Sequence, residues 1–358
     1  MSMDGLMRFR ECIESPQSLE DLQYYFNDHG ELRHIITKKP FVYNYYKNEH
    51  ERNHKRYIAL GDMITLHVYE RLEEDCNLER IPIPIDASDE EPKSFFFMSK
   101  EISSVQSNLF VLLQDSGVIR AGQWSQKVIF HHSLTKGSQL LYIKAALRDN
   151  GSVIILNPND NFVKMKEESQ AMIKNEEVCS PETRGAGDLY ITPRKVIVPK
   201  RCSSSPEEHT NYVWDHFISR SAAKNVSFIA HGYGGLVFMD LLCKRSKEVM
   251  AKVSAVAFID SRHHTPHQTT TAPEIQTWIR SHCRSWVIST KPLDRPTGSL
   301  RKLDCPKVSA GTENHDLVPS ITFQSIFRFL SRCSKSRRKS VPPPFTVVTR
   351  STTRNRSL

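Results

Sequence analysis

The stretch Val226-Ser227-Phe228-Ile229-Ala230-His231-Gly232-Tyr233-Gly234-Gly235-Leu236-Val237 constrains this chain more than any other. A short apolar run stops at His-Gly-Tyr-Gly-Gly, and a helical apolar pattern (Leu236, Phe238, Met239, Leu241, Leu242) begins at once. This predicts a strand, a glycine turn and a helix. A sharp bend of that kind holds its central residue in a conformation that costs a non-glycine side chain roughly 1–3 kcal/mol. Gly232 escapes that cost because it has no Cβ to clash. An ordinary strand-to-helix turn of any doubly wound sheet would read the same on these five residues, so the rest of the chain has to decide.

The rest alternates. Leu109-Phe110-Val111-Leu112-Leu113, Ser152-Val153-Ile154-Ile155-Leu156 and Val253 to Ile259 are apolar runs of strand length, with Trp286-Val287-Ile288 and Lys307-Val308-Ser309-Ala310 following. Helical patterns separate them, which indicates a mostly parallel sheet with helices on both faces. Ser94 to Met98 is expected on the antiparallel side. Tyr57, Leu60, Ile64, Val68 and Leu72 recur at spacings of three and four and predict a helix over about 48–74. Residues 1–27 are expected to be helical, and Leu32 to Ile36 is expected to pair with Phe41 to Tyr46 as strands. Ser205-Pro206-Glu207-Glu208 meets the capping-box rule for a helix start, with Val213, Trp214, Phe217 and Ile218 as its inner face. Residues 160–204, rich in Lys and Glu, read as a largely mobile insertion in which Leu189 to Ile191 and Val196 to Val198 pair. The closing helix is expected over Ile321 to Phe329. The organisation is therefore an N-terminal segment (1–20), one α/β domain (21–333, with the 160–204 insertion) and a basic disordered tail (334–358).

In α/β-hydrolases the strand–turn–helix elbow carries G-x-S-x-G, and the triad follows in the order nucleophile, acid, histidine. On that signature Ala230 and Gly234 are the small flanking positions and Gly232 stands at the serine. A nucleophile must offer a lone pair to an acyl carbon, and glycine has none. After Gly232 the order persists: Asp260 and Asp294 both follow strands, either could be the acid, and His315 follows the final strand. Each lies where ligands bind in open α/β sheets. The oxyanion loop is expected at Gln114-Asp115-Ser116-Gly117, where a carboxylate opposes the charge such a loop must stabilise. Ser116 and Ser261 are substitute hydroxyls that could approach the cleft, but neither sits on an elbow.

Of the nine net positive charges, seven lie between Ser334 and Leu358 without an acid, so the folded part is near neutral and is no broad nucleic-acid surface. No apolar run reaches membrane-spanning length, and Met1 to Phe9 lacks the core of a signal peptide. The eight cysteines include no C-x-x-C pair, which argues against zinc and for reduced thiols. His50 and His54, four apart on a helix, read as a solvated face, and no metal or cofactor is expected.

Phe26-Asn27-Asp28-His29-Gly30-Glu31-Leu32-Arg33-His34-Ile35, Lys55-Arg56-Tyr57, Glu91-Pro92-Lys93-Ser94-Phe95, Ser116 to Trp124, Ser205 to His209, Val213 to Ile218 and Val308 to Thr312 carry a wider resemblance. Over about residues 20–330 the chain resembles the argonaute-binding family of α/β-hydrolase-like proteins, whose animal members are called cotranscriptional regulators. It departs from the family twice, with His231-Gly232-Tyr233 for His-Ser-Tyr and Gln114-Asp115-Ser116-Gly117 for His-Gly-Ser-Gly. The chain thus looks like a diverged paralogue without its nucleophile. The resemblance implies a nuclear interaction protein that partners argonaute and chromatin-associated proteins in small-RNA-guided heterochromatin and splicing, with the cytoplasm as a second compartment. Lys335-Ser336-Arg337-Arg338-Lys339 agrees with nuclear import. Two rival readings are a weak esterase or amidase using His315 and water or a neighbouring serine, and a decayed paralogue without partners.

Overall fold

The computed structural model describes residues 16–100, 108–166, 195–263, 273–298 and 304–340. Its centre is an eight-stranded sheet in the order β12-β11-β10-β9-β5-β6-β4-β3. These strands are β3 (Leu78–Ile83), β4 (Ser94–Ser99), β5 (Asn108–Leu113), β6 (Ser152–Ile155), β9 (Asn225–His231), β10 (Val253–Ile259), β11 (Cys283–Val287) and β12 (Lys307–Ser309). From β6 to β12 every pairing is parallel, while β4 runs antiparallel to both β6 and β3. The fold is α/β with a mostly parallel sheet, as the alternation predicts.

The strands are apolar on both faces because both faces are covered. Leu109, Val111 and Leu113 of β5 join Phe228 and Ala230 of β9 and Val256 and Phe258 of β10 in one core layer. Helices α5 (Pro206–Val213), α6 (Gly234–Lys244) and α8 (Pro273–His282) cover it through Val213, Phe238, Leu242 and Ile279. The alternate residues Phe110, Leu112, Ile229, Ala257 and Ile259 point the other way. They meet Leu60, Ile64, Val68 and Leu72 of α1 (His50–Glu74), Ile143 of α4 (Leu140–Arg148), and Ile326 and Leu330 of α9 (Val318–Ser340). Each such side chain contributes about 1.5–3 kcal/mol by leaving water. Two short helices, α2 (Gln126–His131) and α3 (Leu134–Gly137), precede α4, and α7 (Ser246–Lys252) follows α6.

Several local expectations are corrected. Residues 24–26 form a strand, β1 (Tyr24–Phe26), rather than the end of a helix, and residues 1–15 lie outside the described residues. β1 pairs with β2 (Leu32–His34) across the turn at Asn27 to Gly30. Phe41 to Tyr46 is therefore not the strand partner of Leu32 to Ile36; an isolated bridge pairs Arg33 with Pro40, just before that stretch, and His34 stacks on Tyr45. Helix α1 takes that segment's backbone instead. The Asn53 side chain exchanges hydrogen bonds with the N–H and carbonyl of Tyr46 (2.9 and 2.8 Å), and buried Arg56 donates to the Val42 carbonyl (3.1 Å). Backbone groups satisfied in this way leave no ladder to build.

In the 160–204 stretch, β8 (Lys195–Pro199) contains the expected Val196 to Val198, but its partner is β7 (Phe162–Lys166), antiparallel. Leu189 to Ile191 lies outside the described residues. The base of this hairpin is anchored, not loose: Lys200 pairs with Asp160 at 2.6 Å, and the Asn161 side chain donates to the Ser203 carbonyl at 2.7 Å. The closing helix also overruns its expected end. It continues to Ser340, so residues 334–340, expected in a disordered tail, are helical. Ser334 is buried and bridges Asn108 and Asn225 (3.0 and 3.3 Å) at the starts of β5 and β9.

Candidate functional site

The chain leaves β5 and then builds β6 on one side and β9 on the other. Crevices for ligands open beyond the carboxyl ends of strands at such a reversal. Asp115 follows β5, Gly232 follows β9, Asp260 follows β10, and His315 opens the 3-10 turn His315–Leu317 behind β12. All four converge there.

Gly232 lies at φ +53°, in the left-handed region where a side chain is strained. Its N–H donates to the Ile259 carbonyl (2.9 Å), which joins the turn to β10. Helix α6 starts two residues later, held tightly against the sheet. A Cβ on Gly234 would come within 2.7 Å of the Leu113 carbonyl oxygen. Small residues at the flanks of the bend are therefore a steric requirement. At Gly232 the obstacle is different. A Cβ there would fall closer than 3.0 Å to Cγ and both carboxylate oxygens of Asp115. The carboxylate of the β5 loop fills the space that a side chain at position 232 would need.

Asp115 is held in that position by donors. Its Oδ1 accepts the Tyr233 N–H at 2.6 Å and the Ser116 N–H at 2.8 Å. In α/β-hydrolases the oxyanion hole combines the N–H after the nucleophile with one from a strand-following loop. Here the N–H after residue 232 and an N–H of the β5 loop both point at a side-chain carboxylate. Sequence reasoning treats Asp115 as a charge near the hole, whereas the structure places it inside the pair of donors. The loop is braced from behind by the Asn159 side chain, which donates to the carbonyls of Asp115 (2.8 Å) and Ile119 (2.9 Å). Ser116 and Gly117 are exposed at the loop's outer edge, with Gly117 at φ +103°.

The other oxygen, Oδ2, lies 3.1 Å from Nε2 of His315. Nδ1 of the same ring lies 2.6 Å from Oδ2 of Asp260. Asp260 Oδ1 in turn accepts the Ile288 N–H (3.2 Å), and the Asp260 N–H donates to the Trp286 carbonyl (2.7 Å). The imidazole is clamped between two carboxylates. Hydrogen bonds to Asp115 and Asp260 raise its pKa to about 9, so it is an imidazolium at neutral pH. Both carboxylates are held below the usual range: burial opposes their ionisation, but the hydrogen bonds from His315 and from backbone N–H groups outweigh it. The His315 turn is fixed in place through its neighbour Asp316, which accepts from Ser125 Oγ (2.9 Å) at the start of α2.

The structure thus brings Asp260, not Asp294, to His315. Asp294 accepts from Trp286 Nε1 (3.0 Å) and Ser325 Oγ (2.5 Å), and joins β11 to α9. Ser261 is also absent from the cleft. It packs on Gly235, where a Cβ would collide with its hydroxyl, and lies 2.9 Å from Nδ1 of His263. Sequence reasoning missed His231. This last residue of β9 is buried and stacks on His315 with centroids 4.5 Å apart and planes 20° apart. Burial pushes its pKa down to about 4, so a neutral ring covers the charged one. Its position one residue before the bend was the only available signal.

Asp115, His231 and His315 place donor atoms within 4.8 Å of one another. They are poorly arranged for a metal, because stacked rings aim their in-plane lone pairs side by side rather than at one point. A protonated His315 also has no lone pair to give. Chemically, the arrangement provides an anion in a donor pair, a cation with both protons engaged, and no nucleophile on the bend.

A family model described as the Arb2 domain matches residues 15–293. The chain is 49% identical over 356 residues to the human protein ARB2BP, covering 98% of each. It is 43% identical over 368 residues to the cotranscriptional regulator ARB2A of Mus musculus, covering 97% of this chain and 88% of that one. With a homologue in Dictyostelium discoideum it shares 28% identity over 317 residues, 88% of this chain and 79% of that one. Among solved structures, the histone deacetylase Clr3 gives a TM-score of 0.48 at 15% identity, over 76% of this chain and 39% of that one. On the extent of the domain match and of the identity to these regulators, the chain belongs to the Arb2 domain family.

Proposed function

We propose that this chain is a non-catalytic interaction protein of the nucleus, an α/β-hydrolase-like scaffold whose reactive centre is closed by its own Asp115. One observation carries the reading: the Asp115 carboxylate occupies both the space of a side chain at position 232 and the N–H donors beside it. Hydrolysis assisted by His315 would need a neutral imidazole with a free nitrogen to take a proton. A ring titrating at about 9 and bonded at both nitrogens offers neither. The pieces Gly232, Asp260 and His315 are thus remnants of a triad, with Asp115, Ser116 and Gly117 as the remnant of its oxyanion loop.

The relatives named as cotranscriptional regulators supply the setting. The family relationship favours argonaute and chromatin-associated proteins as partners, and the nucleus as the compartment. Two assays test the reading together. The purified chain is expected to show no labelling by a fluorophosphonate probe and no ester turnover. From nuclear extract it is expected to co-purify argonaute and chromatin proteins. A labelled serine overturns the first half of the reading, and a pull-down without those partners overturns the second.

A further inference from the structure

Beyond the closed cleft, His263, Asp304 and Cys305 bring three different donor types together in the interior. His263 trails β10 and the other two lead into β12, so the cluster spans a gap of some forty residues. Their exposures are 3%, 7% and 3%. His263 Nε2 lies 3.7 Å from Cys305 Sγ and 3.7 Å from Asp304 Oδ1, and all three donor atoms are within 4.8 Å of one another. Zinc bound tetrahedrally, with bonds of about 2.0–2.3 Å to nitrogen, oxygen and sulfur, sets donor atoms roughly 3.3–3.8 Å apart. The two shorter separations already match.

The surroundings suit a metal. Ser261 Oγ lies 2.9 Å from His263 Nδ1 and also accepts the His263 backbone N–H at 3.3 Å. A hydroxyl at Nδ1 is the kind of outer-shell partner that orients metal-bound histidines, and it turns the Nε2 edge of the ring toward Cys305 and Asp304. Phe258 covers the imidazole at 4.0 Å between centroids. Lys307 Nζ holds Asp304 Oδ2 at 2.7 Å, and the Cys305 N–H donates to Oδ1 at 2.9 Å, which orients the carboxylate. A divalent ion is balanced by one thiolate and one carboxylate, which suits a buried place, and the one remaining positive charge sits on the partly exposed Lys307 ammonium.

We propose that His263, Asp304 and Cys305 bind one zinc ion, with a water in the fourth position. Binding forms the Zn–S bond and releases the Cys305 thiol proton to solvent, with no change in oxidation state. The ion would tie the segment after β10, three residues beyond Asp260, to the entry of β12. A C-x-x-C search could not have found it, because the ligands come from two separate connections.

The test uses the full chain, stripped of metal by a chelator and titrated with zinc against a chromophoric competitor, then with cobalt. One equivalent of zinc is expected, with affinity roughly tenfold or more weaker in Cys305→Ser and His263→Ala. Cobalt is expected to give thiolate charge-transfer absorption that is absent in Cys305→Ser. The His50→Ala, His54→Ala double variant is expected to bind as the unaltered chain does. Sub-stoichiometric binding, cobalt without thiolate charge transfer, or unchanged affinity in His263→Ala overturns the proposal. If Cys305→Ser fails to fold, the cobalt spectrum of the unaltered chain and His263→Ala decide.

Discussion

Restoring the missing serine is the most direct test of how the cleft is closed. In Gly232→Ser the new Cβ meets all three carboxyl atoms of Asp115 at less than 3.0 Å, and the residue must also hold φ near +53°. The backbone term costs about 1–2 kcal/mol. Relief of the clash requires Asp115 to swing away from the Tyr233 and Ser116 N–H groups and from His315. Hydrogen bonds to charged groups contribute about 1.5–3 kcal/mol each. A displaced carboxylate recovers part of this in water, so the variant is expected to lose about 3–5 kcal/mol in all. Asp115→Ala alone loses the same hydrogen bonds but clears the space. The double variant should then cost much less than the sum of the two, with a coupling of about 2 kcal/mol or more. Urea unfolding of the four proteins measures the cycle, and ester hydrolysis is followed in parallel. Gly232→Ser is expected to be inactive, because the displaced Asp115 carboxylate stays tethered beside the donor pair and its charge opposes a developing oxyanion. Additive losses, or a Gly232→Ser protein as stable as its parent, would refute the claim that the carboxylate occupies that space. Turnover by the single variant would do the same.

The clamp on His315 predicts a pH window. Its pKa is raised from 6.5 to about 9, so its contribution is complete below 6.5 and lost as pH rises through 9. The full shift would correspond to about 3 kcal/mol; with 33% of the side chain exposed, screening reduces the expected loss to about 1–2 kcal/mol. A flat stability profile across that range would contradict the clamp. Asp260→Asn is expected to lower the His315 pKa and leave that of His231 depressed, as read from imidazole proton shifts; an unmoved His315 would show that Asp260 is not its partner. Ser205→Ala removes the side chain that accepts the Glu208 N–H at 3.1 Å and is expected to cost about 1 kcal/mol by urea unfolding. No measurable loss would mean that this cap is not formed.

The parts legible in sequence were those set by patterns along the chain. The run from Val226 to Leu242 marks a bend, and the apolar stretches at 109–113 and 253–259 mark buried strands. What the sequence could not choose depended on contacts between distant segments. Asp260 and Asp294 both follow strands, and only the packing of Trp286 and Ser325 shows why Asp294 faces away from His315. The charge of Asp115 could be flagged from its place in the loop. That it points inward and fills the bend could not, since this depends on Asn159 holding the loop from a connection over forty residues away. The segment at 24–26 misled because Leu19, Leu22, Tyr25 and Phe26 suit a helical face, while the hairpin turn at Asn27 to Gly30 overrides them.

Ser334 binds Asn108 and Asn225, which stand at the amino ends of β5 and β9, whereas the cleft opens at their carboxyl ends. A receptor that grips the chain beyond residue 340 would therefore pull on the floor of the molecule and leave its mouth undistorted. Removing residues 341–358 should spare that anchor, whereas a cut before Ser334 would also pull out the peg that holds the floor together.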